Sequence, residues 1–165
     1  IFYGLVLFMF AWQLFGKADA RATGYVVFGG GFVGFVMGLF AYVGLGLALP
    51  GTLVIVFAIT FMVAGVWNAR SLDPKTLAYF LLYLGIADAL YAVYFAMVQS
   101  FVFSAFCWAW LLVYLLFVLA LLTERPPYAV AARYWCLVCS FATLLIPGFM
   151  LVQGMVLARR PRLSR

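Results

Sequence analysis

Charged residues are scarce in this chain, and histidine is absent. Only 8% of the 165 residues are Asp, Glu, Lys or Arg. Without histidine, and without two carboxylates placed for acid–base work, general acid–base and zinc-dependent hydrolysis lack their usual reagents. The chain also contains no G-x-S-x-G segment and no phosphate-binding loop followed by Lys and Ser or Thr. We therefore expect that the protein is not an enzyme and binds neither a metal nor another cofactor.

The residues that are present are mainly apolar, with 70% of the chain hydrophobic and a mean hydropathy of +1.22. Such a chain has too little polar surface to enclose a water-excluding core, so its outer surface must face lipid. Helices of roughly 20 apolar residues can cross about 30 Å of hydrocarbon. Runs of this kind cover residues 1–16, 23–47, 51–68, 76–98, 101–123 and 128–157. We predict an all-α membrane protein of six transmembrane helices, forming a single transmembrane domain over residues 1–165.

The basic residues outside the C-terminus lie in every second connection between these runs. Lys17 and Arg21 follow the first run, Arg70 and Lys75 the third, and Arg125 the fifth, with Arg133 just inside the sixth. The connections after the second and fourth runs carry no charge. The positive-inside rule then places the odd-numbered connections in the cytoplasm. We predict a multi-pass protein of the cytoplasmic (inner) membrane with both termini outside.

A basic C-terminal tail disagrees with this orientation, because it follows the sixth run on the predicted outer side. It consists of Arg159, Arg160, Arg162 and Arg165. The basic residues of three connections are stronger evidence than those of one tail, so we still predict that both termini lie outside. The net charge of +6 is interpreted as a topology signal and a contact with lipid headgroups, not as a nucleic-acid surface. Because the chain begins at Ile1 and its first run is short, we also expect further N-terminal residues in the natural protein.

Two of the charged connections have similar sequences. Residues 17–23 and 70–76 each contain a cation, an acid, a second cation two residues later, and a Thr at the start of the next helix. Asp and Thr at such positions satisfy the free N–H groups of a helix start. The similarity suggests three tandem helical hairpins with a pore within the protomer. In the second run, Gly30, Gly34 and Gly38 predict either a close helix-packing seam or a groove that widens a pore.

Aromatic residues follow one face of two predicted helices. In the fifth run they share one face with Cys107 at steps of three and four residues, in the order Phe103, Cys107, Trp110, Tyr114 and Phe117. The face of the third run has the same spacing, with Thr60 adjacent, and it consists of Phe57, Phe61, Ala64 and Asn68. The first run offers a third face, made of Tyr3, Leu7, Phe10 and Leu14. If these faces meet, they form a narrow slot that repels ions but admits a flat neutral solute. The alternative interpretation is that the rings only pack against other helices or contact lipid.

One acid breaks the charge pattern, since Asp88 lies at the middle of the fourth run. A charged acid at the bilayer centre costs about 2.5–3.5 kcal/mol on insertion scales, so Asp88 should face protein or water. Tyr91 is the candidate partner one turn along the helix. The carboxyl group has either a pore or coupling role, or makes a structural hydrogen bond between helices. The three cysteines, Cys107, Cys136 and Cys139, lie in apolar runs and are expected to behave as small hydrophobes.

The order of these features resembles that of the AmiS/UreI family of urea and short-chain amide channels. Four segments carry the resemblance over most of the chain: Phe15-Gly16-Lys17-x-Asp19, Phe57-Ala-Ile-Thr60-Phe61 with Leu72-Asp73, the helix around Trp110 and Tyr114, and Thr143-Leu-Leu-Ile146-Pro147. The resemblance implies six helices in three hairpins, a pore through each protomer and a homohexameric ring around a lipid plug. It also implies that aromatic and aliphatic side chains form two constrictions, here Leu7, Phe57, Phe61, Trp110 and Tyr114. Phe103 and Cys107 fall where the family's urea channel has further tryptophans.

The chain departs from the family pattern in two places. The family has a glutamate four residues before the Thr of its Thr-x-x-Ile-Pro segment, and this chain has Cys139 there. We hypothesise that Asp88 replaces this acid, so Asp88, Thr60 and Cys139 form a possible intramembrane polar site. The outer connection, residues 43–50, is short and lacks the histidines of acid-gated relatives. We therefore expect a channel that stays open between about pH 5 and 7.5.

The sequence thus predicts a passive, non-pH-gated channel for a small neutral solute, urea or an acetamide-like amide. The expected partners are that solute, membrane lipid and further copies of the chain, with no nucleic acid. A proton-coupled secondary transporter that uses Asp88 is the alternative. A third possibility is a structural membrane subunit, in which the aromatic faces only pack.

Overall fold

The structure, a computed structural model, describes residues 2–149, and its regular elements there are all helical. The helices are α1 Phe2–Leu14, α2 Ala20–Leu39, α3 Ala48–Arg70, α4 Pro74–Met97, α5 Phe101–Thr123 and α6 Pro126–Cys139. Two π-helical segments, Phe40–Gly44 and Ser140–Leu145, continue α2 and α6. The sequence did not predict these segments. The arginine tail and the end of the sixth predicted run lie outside the described residues.

Five helices are long and apolar enough to cross a membrane, and these are α2 to α6 with their π-helical continuations. The protein is therefore a multi-pass membrane protein, as the sequence predicted. Helix α1 is apolar but has only 13 described residues, which gives about 20 Å of helix. A sixth span and the three-hairpin arrangement therefore remain predictions.

The starts of α2 and α4 are fixed by the acids that the sequence singled out. Asp19 accepts a hydrogen bond from the Ala22 backbone N–H at 2.8 Å. Asp73 accepts bonds from the Thr76 hydroxyl at 2.8 Å and the Thr76 N–H at 3.0 Å, which lower the pKa of its carboxyl group. Pro74 occupies the first turn of α4, where its missing N–H costs nothing. The predicted caps are confirmed.

The six helices contact one another in chain order and close into a ring, because α6 and its π-helical segment return to α1. The closest pairs are α2 with α3 and α4 with α5, whereas α3 and α4 touch only weakly. Gly24 and Gly65 explain the first pair, since a Cβ on Gly65 would lie 2.7 Å from the Gly24 carbonyl oxygen. A side chain at either position would push the two helices apart.

The glycines four residues apart in α2 also serve packing. Gly30 and Gly34 receive side chains of α1, namely Val6 and Tyr3, while Gly38 lies against Ile55 of α3. These contacts agree with the first of the two interpretations of the glycine pattern, a close helix-packing seam. These glycines face neighbouring helices instead of the centre of the ring.

Candidate functional site

The centre of the ring contains a small cavity of about 50 Å³, hereafter the central cavity. Its walls come from α1, α3, α4 and α5, and the structure brings five of the predicted site residues together there. These are Leu7, Thr60, Phe61, Trp110 and Tyr114. The backbones of α1, α3 and α5 make little close contact with one another, so side chains alone bridge the space between them. The predicted meeting of three helix faces is therefore present.

Aromatic rings fix the shape of this cavity. The Trp110 ring centroid lies 4.6 Å from that of Phe57 and 5.9 Å from that of Phe61, so α3 and α5 meet through rings. The indole Nε1 of Trp110 donates a hydrogen bond to the Thr143 hydroxyl at 3.1 Å, and that hydroxyl donates to the Cys139 carbonyl oxygen at 2.8 Å. Thr143 belongs to the π-helical segment Ser140–Leu145. The rotamer of Trp110 is thus set by contacts with two other helices.

Two hydroxyl groups border the central cavity, and they differ in their partners. Thr60 donates to the Val56 carbonyl oxygen of its own helix at 2.9 Å. The Tyr114 hydroxyl is buried and lies near the Thr60 hydroxyl, but it forms no hydrogen bond of good geometry to the described part of the protein. A buried hydroxyl without a partner is costly unless water or a solute supplies one. Tyr114 is therefore the polar group of the cavity that a bound molecule could satisfy.

Phe103 and Cys107 lie elsewhere. Phe103 is 51% exposed and its ring packs on Phe95 of α4 at a centroid distance of 5.4 Å. Cys107 is buried in a separate apolar cluster with Ala92 and Phe95. The structure therefore does not bring these two residues into the central cavity. Both lie toward the end of the helices where the connections are uncharged, hereafter the uncharged end.

Asp88 is 2% exposed and its Oδ2 has no hydrogen-bond partner among residues 2–149. Its carboxyl group lies within electrostatic range of Cys107 and Tyr114 of α5. The predicted partner is wrong, because the Tyr91 hydroxyl instead donates to Thr52 Oγ1 at 3.3 Å. Tyr91 extends toward α3, where Thr52 also bonds to carbonyl groups of its own helix. Among the described residues Asp88 is thus a buried acid without a partner for Oδ2, and it does not line the central cavity.

Cys139 occupies the position of the family's glutamate, on α6. It is 1% exposed, and its thiol lies 3.9 Å from the Ala109 carbonyl oxygen of α5. The same carbonyl accepts a hydrogen bond from Trp135 Nε1 at 2.9 Å. Cys139 therefore contacts α5 from α6, whereas Asp88 approaches α5 from α4. The possible polar site of Asp88, Thr60 and Cys139 is divided among three helices, and no hydrogen bond in the described residues links them.

A second cavity of about 230 Å³, hereafter the vestibule, lies at the opposite end, where the connections are charged. It shares four lining residues with the central cavity, namely Phe10, Ala64, Leu77 and Phe117. The two spaces are therefore neighbours along one line through the ring. The vestibule is lined by Gln13 and Asn68, whose side-chain amides bond to each other at 2.8 and 2.5 Å.

Sequence reasoning missed several of these lining residues. Leu77, Leu81 and Val113 line the central cavity but are ordinary apolar residues in apolar helices, so no pattern distinguishes them. Asn68 was visible on the aromatic face of α3. Its partner Gln13 is 55 positions away, and only the presence of an uncharged amide in an otherwise apolar helix could have indicated it.

The described residues that line the central cavity and the vestibule carry no charged side chain. An ion entering this line would lose hydration without gaining a charged ligand or a ring of backbone carbonyl groups. A small neutral solute would meet ring faces, the Tyr114 hydroxyl and a pair of amides. The arrangement therefore offers chemistry for a neutral polar molecule.

Comparison with known families gives one match, to the model of the AmiS/UreI family transporter, and it covers residues 1–155. Comparisons with curated proteins and with solved structures found no match. The match extends over nearly all of the chain and confirms the resemblance that the sequence motifs indicated. A transporter family implies movement of a solute across the membrane rather than catalysis. The chain belongs to the AmiS/UreI family of transporters.

Proposed function

We propose that the protein is a passive channel for urea or short-chain aliphatic amides, and that the solute passes through the central cavity of each protomer. The observation that carries this proposal is the uncharged line formed by the vestibule and the central cavity. Leu7, Phe61, Trp110 and Tyr114 would form its narrow part. A flat solute fits between ring faces, and its N–H groups can meet the π surface or the Tyr114 hydroxyl.

The assembly and orientation in this proposal follow the family resemblance and the charge pattern. The protomers would form a homohexamer in the cytoplasmic membrane, each with six spans in three hairpins and its termini outside. The charged connections would then face the cytoplasm. The vestibule would be the cytoplasmic mouth, and the uncharged end with Phe95 and Phe103 would be the outer mouth.

Stopped-flow swelling of proteoliposomes tests the solute class. Vesicles containing the protein should equilibrate urea and acetamide faster than protein-free vesicles, with a smaller gain for glycerol, which is not flat. Equal rates with and without protein for both urea and acetamide would rule out the proposed substrates. A gain for salt ions would contradict the uncharged path.

Proton-coupled transport is the second candidate, and Asp88 is the observation that favours it. A buried carboxyl group inside a membrane helix, whose Oδ2 has no partner in the described part of the chain, is typical of proton relays in transporters. A coupled carrier would show saturating flux that responds to an imposed proton gradient. A passive channel would show flux that follows the solute gradient and ignores the proton gradient.

A further inference from the structure

The two primary amides of the vestibule are hydrogen-bonded to each other in both directions. Gln13 Nε2 donates to Asn68 Oδ1 at 2.8 Å, and Asn68 Nδ2 donates to Gln13 Oε1 at 2.5 Å. Gln13 lies in the last turn of α1 and Asn68 in the last turn of α3. The pair therefore joins two helices that border the path, at the end where the connections are charged.

Half of the hydrogen-bonding capacity of this pair is unused. A primary amide carries two N–H donors and a carbonyl oxygen with two lone pairs. Each side chain spends one donor and one lone pair on the other, and within the described part of the chain neither amide bonds to a further protein group. Both side chains are half-buried and line the vestibule, so a solute can reach the remaining donors and acceptors.

The pair stands one helical turn from the narrow part of the path. Phe10 precedes Gln13 by three residues and Ala64 precedes Asn68 by four, and both line the vestibule and the central cavity together. The indole N–H of Trp67, which also lines the vestibule, is occupied, because it donates to the Asp73 carbonyl oxygen at 2.7 Å. A polar solute at the narrowing would therefore meet the two amides.

We propose that Gln13 and Asn68 are a recognition site for the primary amide group of the solute. This inference rests on the proposed function and names the groups that would bind the solute before or after the narrow part. A primary amide or urea presents an N–H beside a C=O. Gln13 and Asn68 already bind this same pair of groups in each other's side chains. An N,N-dimethylated amide keeps the C=O but has no N–H, so it can fill only half of the site.

The test compares acetamide with N,N-dimethylacetamide in proteoliposomes of the full chain, measured by stopped-flow swelling. Replacing both residues (Gln13→Leu with Asn68→Leu) removes the amides and keeps similar bulk. The ratio of acetamide to N,N-dimethylacetamide permeability should fall about fivefold, the value of one neutral hydrogen bond. The exchanged variant (Gln13→Asn with Asn68→Gln) keeps both amides and should restore most of the ratio.

The matched control is Trp135→Phe, which removes another hydrogen bond between helices, from Trp135 Nε1 to the Ala109 carbonyl oxygen. Trp135 lines neither cavity, so its variant should keep the wild-type ratio. An unchanged ratio in the double leucine variant would overturn the recognition site, and so would an equal fall in Trp135→Phe. If the double variant does not assemble, the same criterion applies to Gln13→Leu and Asn68→Leu separately. A wild type that passes neither amide contradicts the proposed function itself, which is a different outcome.

Discussion

The two ends of the candidate path differ in their polar side chains and in the hydrogen bonds that these side chains form. At the charged end the vestibule is open, and it is lined by two neutral amides that bond to each other, Gln13 and Asn68. Toward the uncharged end lies the apolar cluster of Ala92, Phe95 and Cys107, and the nearby acid Asp88 has an oxygen without a hydrogen-bond partner among residues 2–149. The polar side chains are therefore neutral at the wide end of the path, whereas the one acid of the described membrane helices lies near the packed apolar cluster.

The largest effect should come from Trp110, which separates these two regions. Trp110→Ala removes a buried ring that contacts Phe57 and Phe61, so it should destabilise the protein by about 3–5 kcal/mol and widen the central cavity. Glycerol permeability should rise toward that of urea. The control is Trp108→Ala on the same helix, because Trp108 is 49% exposed. Equal glycerol permeability in both variants would contradict a slot at Trp110.

Substitutions of Asp88 should have the next largest effect. Asp88→Ala removes the polar group near Cys107 and Tyr114 and should lower amide flux severalfold, whereas Asp88→Asn keeps its shape and hydrogen-bonding capacity and should retain most of the flux. Amide swelling rates and the size of the purified assembly measure both. Unchanged flux and assembly in the two variants would dismiss a role of Asp88 in the path. A response to a proton gradient that is present in the wild type and absent in Asp88→Asn would favour the coupled carrier.

Thr143→Val should have a smaller effect of the same kind as Trp110→Ala. The change removes the acceptor of the Trp110 indole N–H, which is worth about 1 kcal/mol. The ring stays, so glycerol selectivity should relax only partly. Thr123→Val is the matched control, because Thr123 also bonds to a carbonyl group four residues earlier but does not contact Trp110. A loss of selectivity in the control variant would show that the tryptophan contact is not the cause.

Acidification between about pH 7.5 and 5 should have no effect on urea flux, because the chain has no histidine to titrate there and protonation of Asp88, like the change to Asn, keeps the hydrogen-bonding capacity of that side chain. At the charged end, hydrogen bonds from Thr76 lower the pKa of Asp73. The cap that Asp73 forms on α4 is therefore complete above the ordinary aspartate pKa of about 3.9 and is lost only below it. Swelling rates at a series of equal internal and external pH values measure this. A steep rise on acidification would contradict an ungated channel.

The sequence predicted the helices and the central cavity better than it predicted the ends of the path. Spacing of three and four residues placed Phe61, Trp110 and Tyr114 on shared faces, and the structure brings them together with Leu7. Spacing does not say where along a helix the bundle narrows. For this reason Phe103 fell on the predicted face of α5 but lies half-exposed against Phe95.

Contacts between distant residues were the part that the sequence could not supply. Tyr91 was the nearest hydroxyl to Asp88 along its helix, but packing against α3 directs it to Thr52. The Gln13–Asn68 pair depends on α1 and α3 lying side by side at one end, which no local pattern encodes. The π-helical turn that presents Thr143 to Trp110 is likewise a result of tertiary packing.

The most direct test of the central claim is urea flux in wild-type proteoliposomes over a series of urea gradients, with and without an imposed proton gradient. The account predicts that flux rises in proportion to the urea gradient and is the same in both conditions. Flux that saturates and follows the proton gradient would contradict a passive path and assign the transport to Asp88.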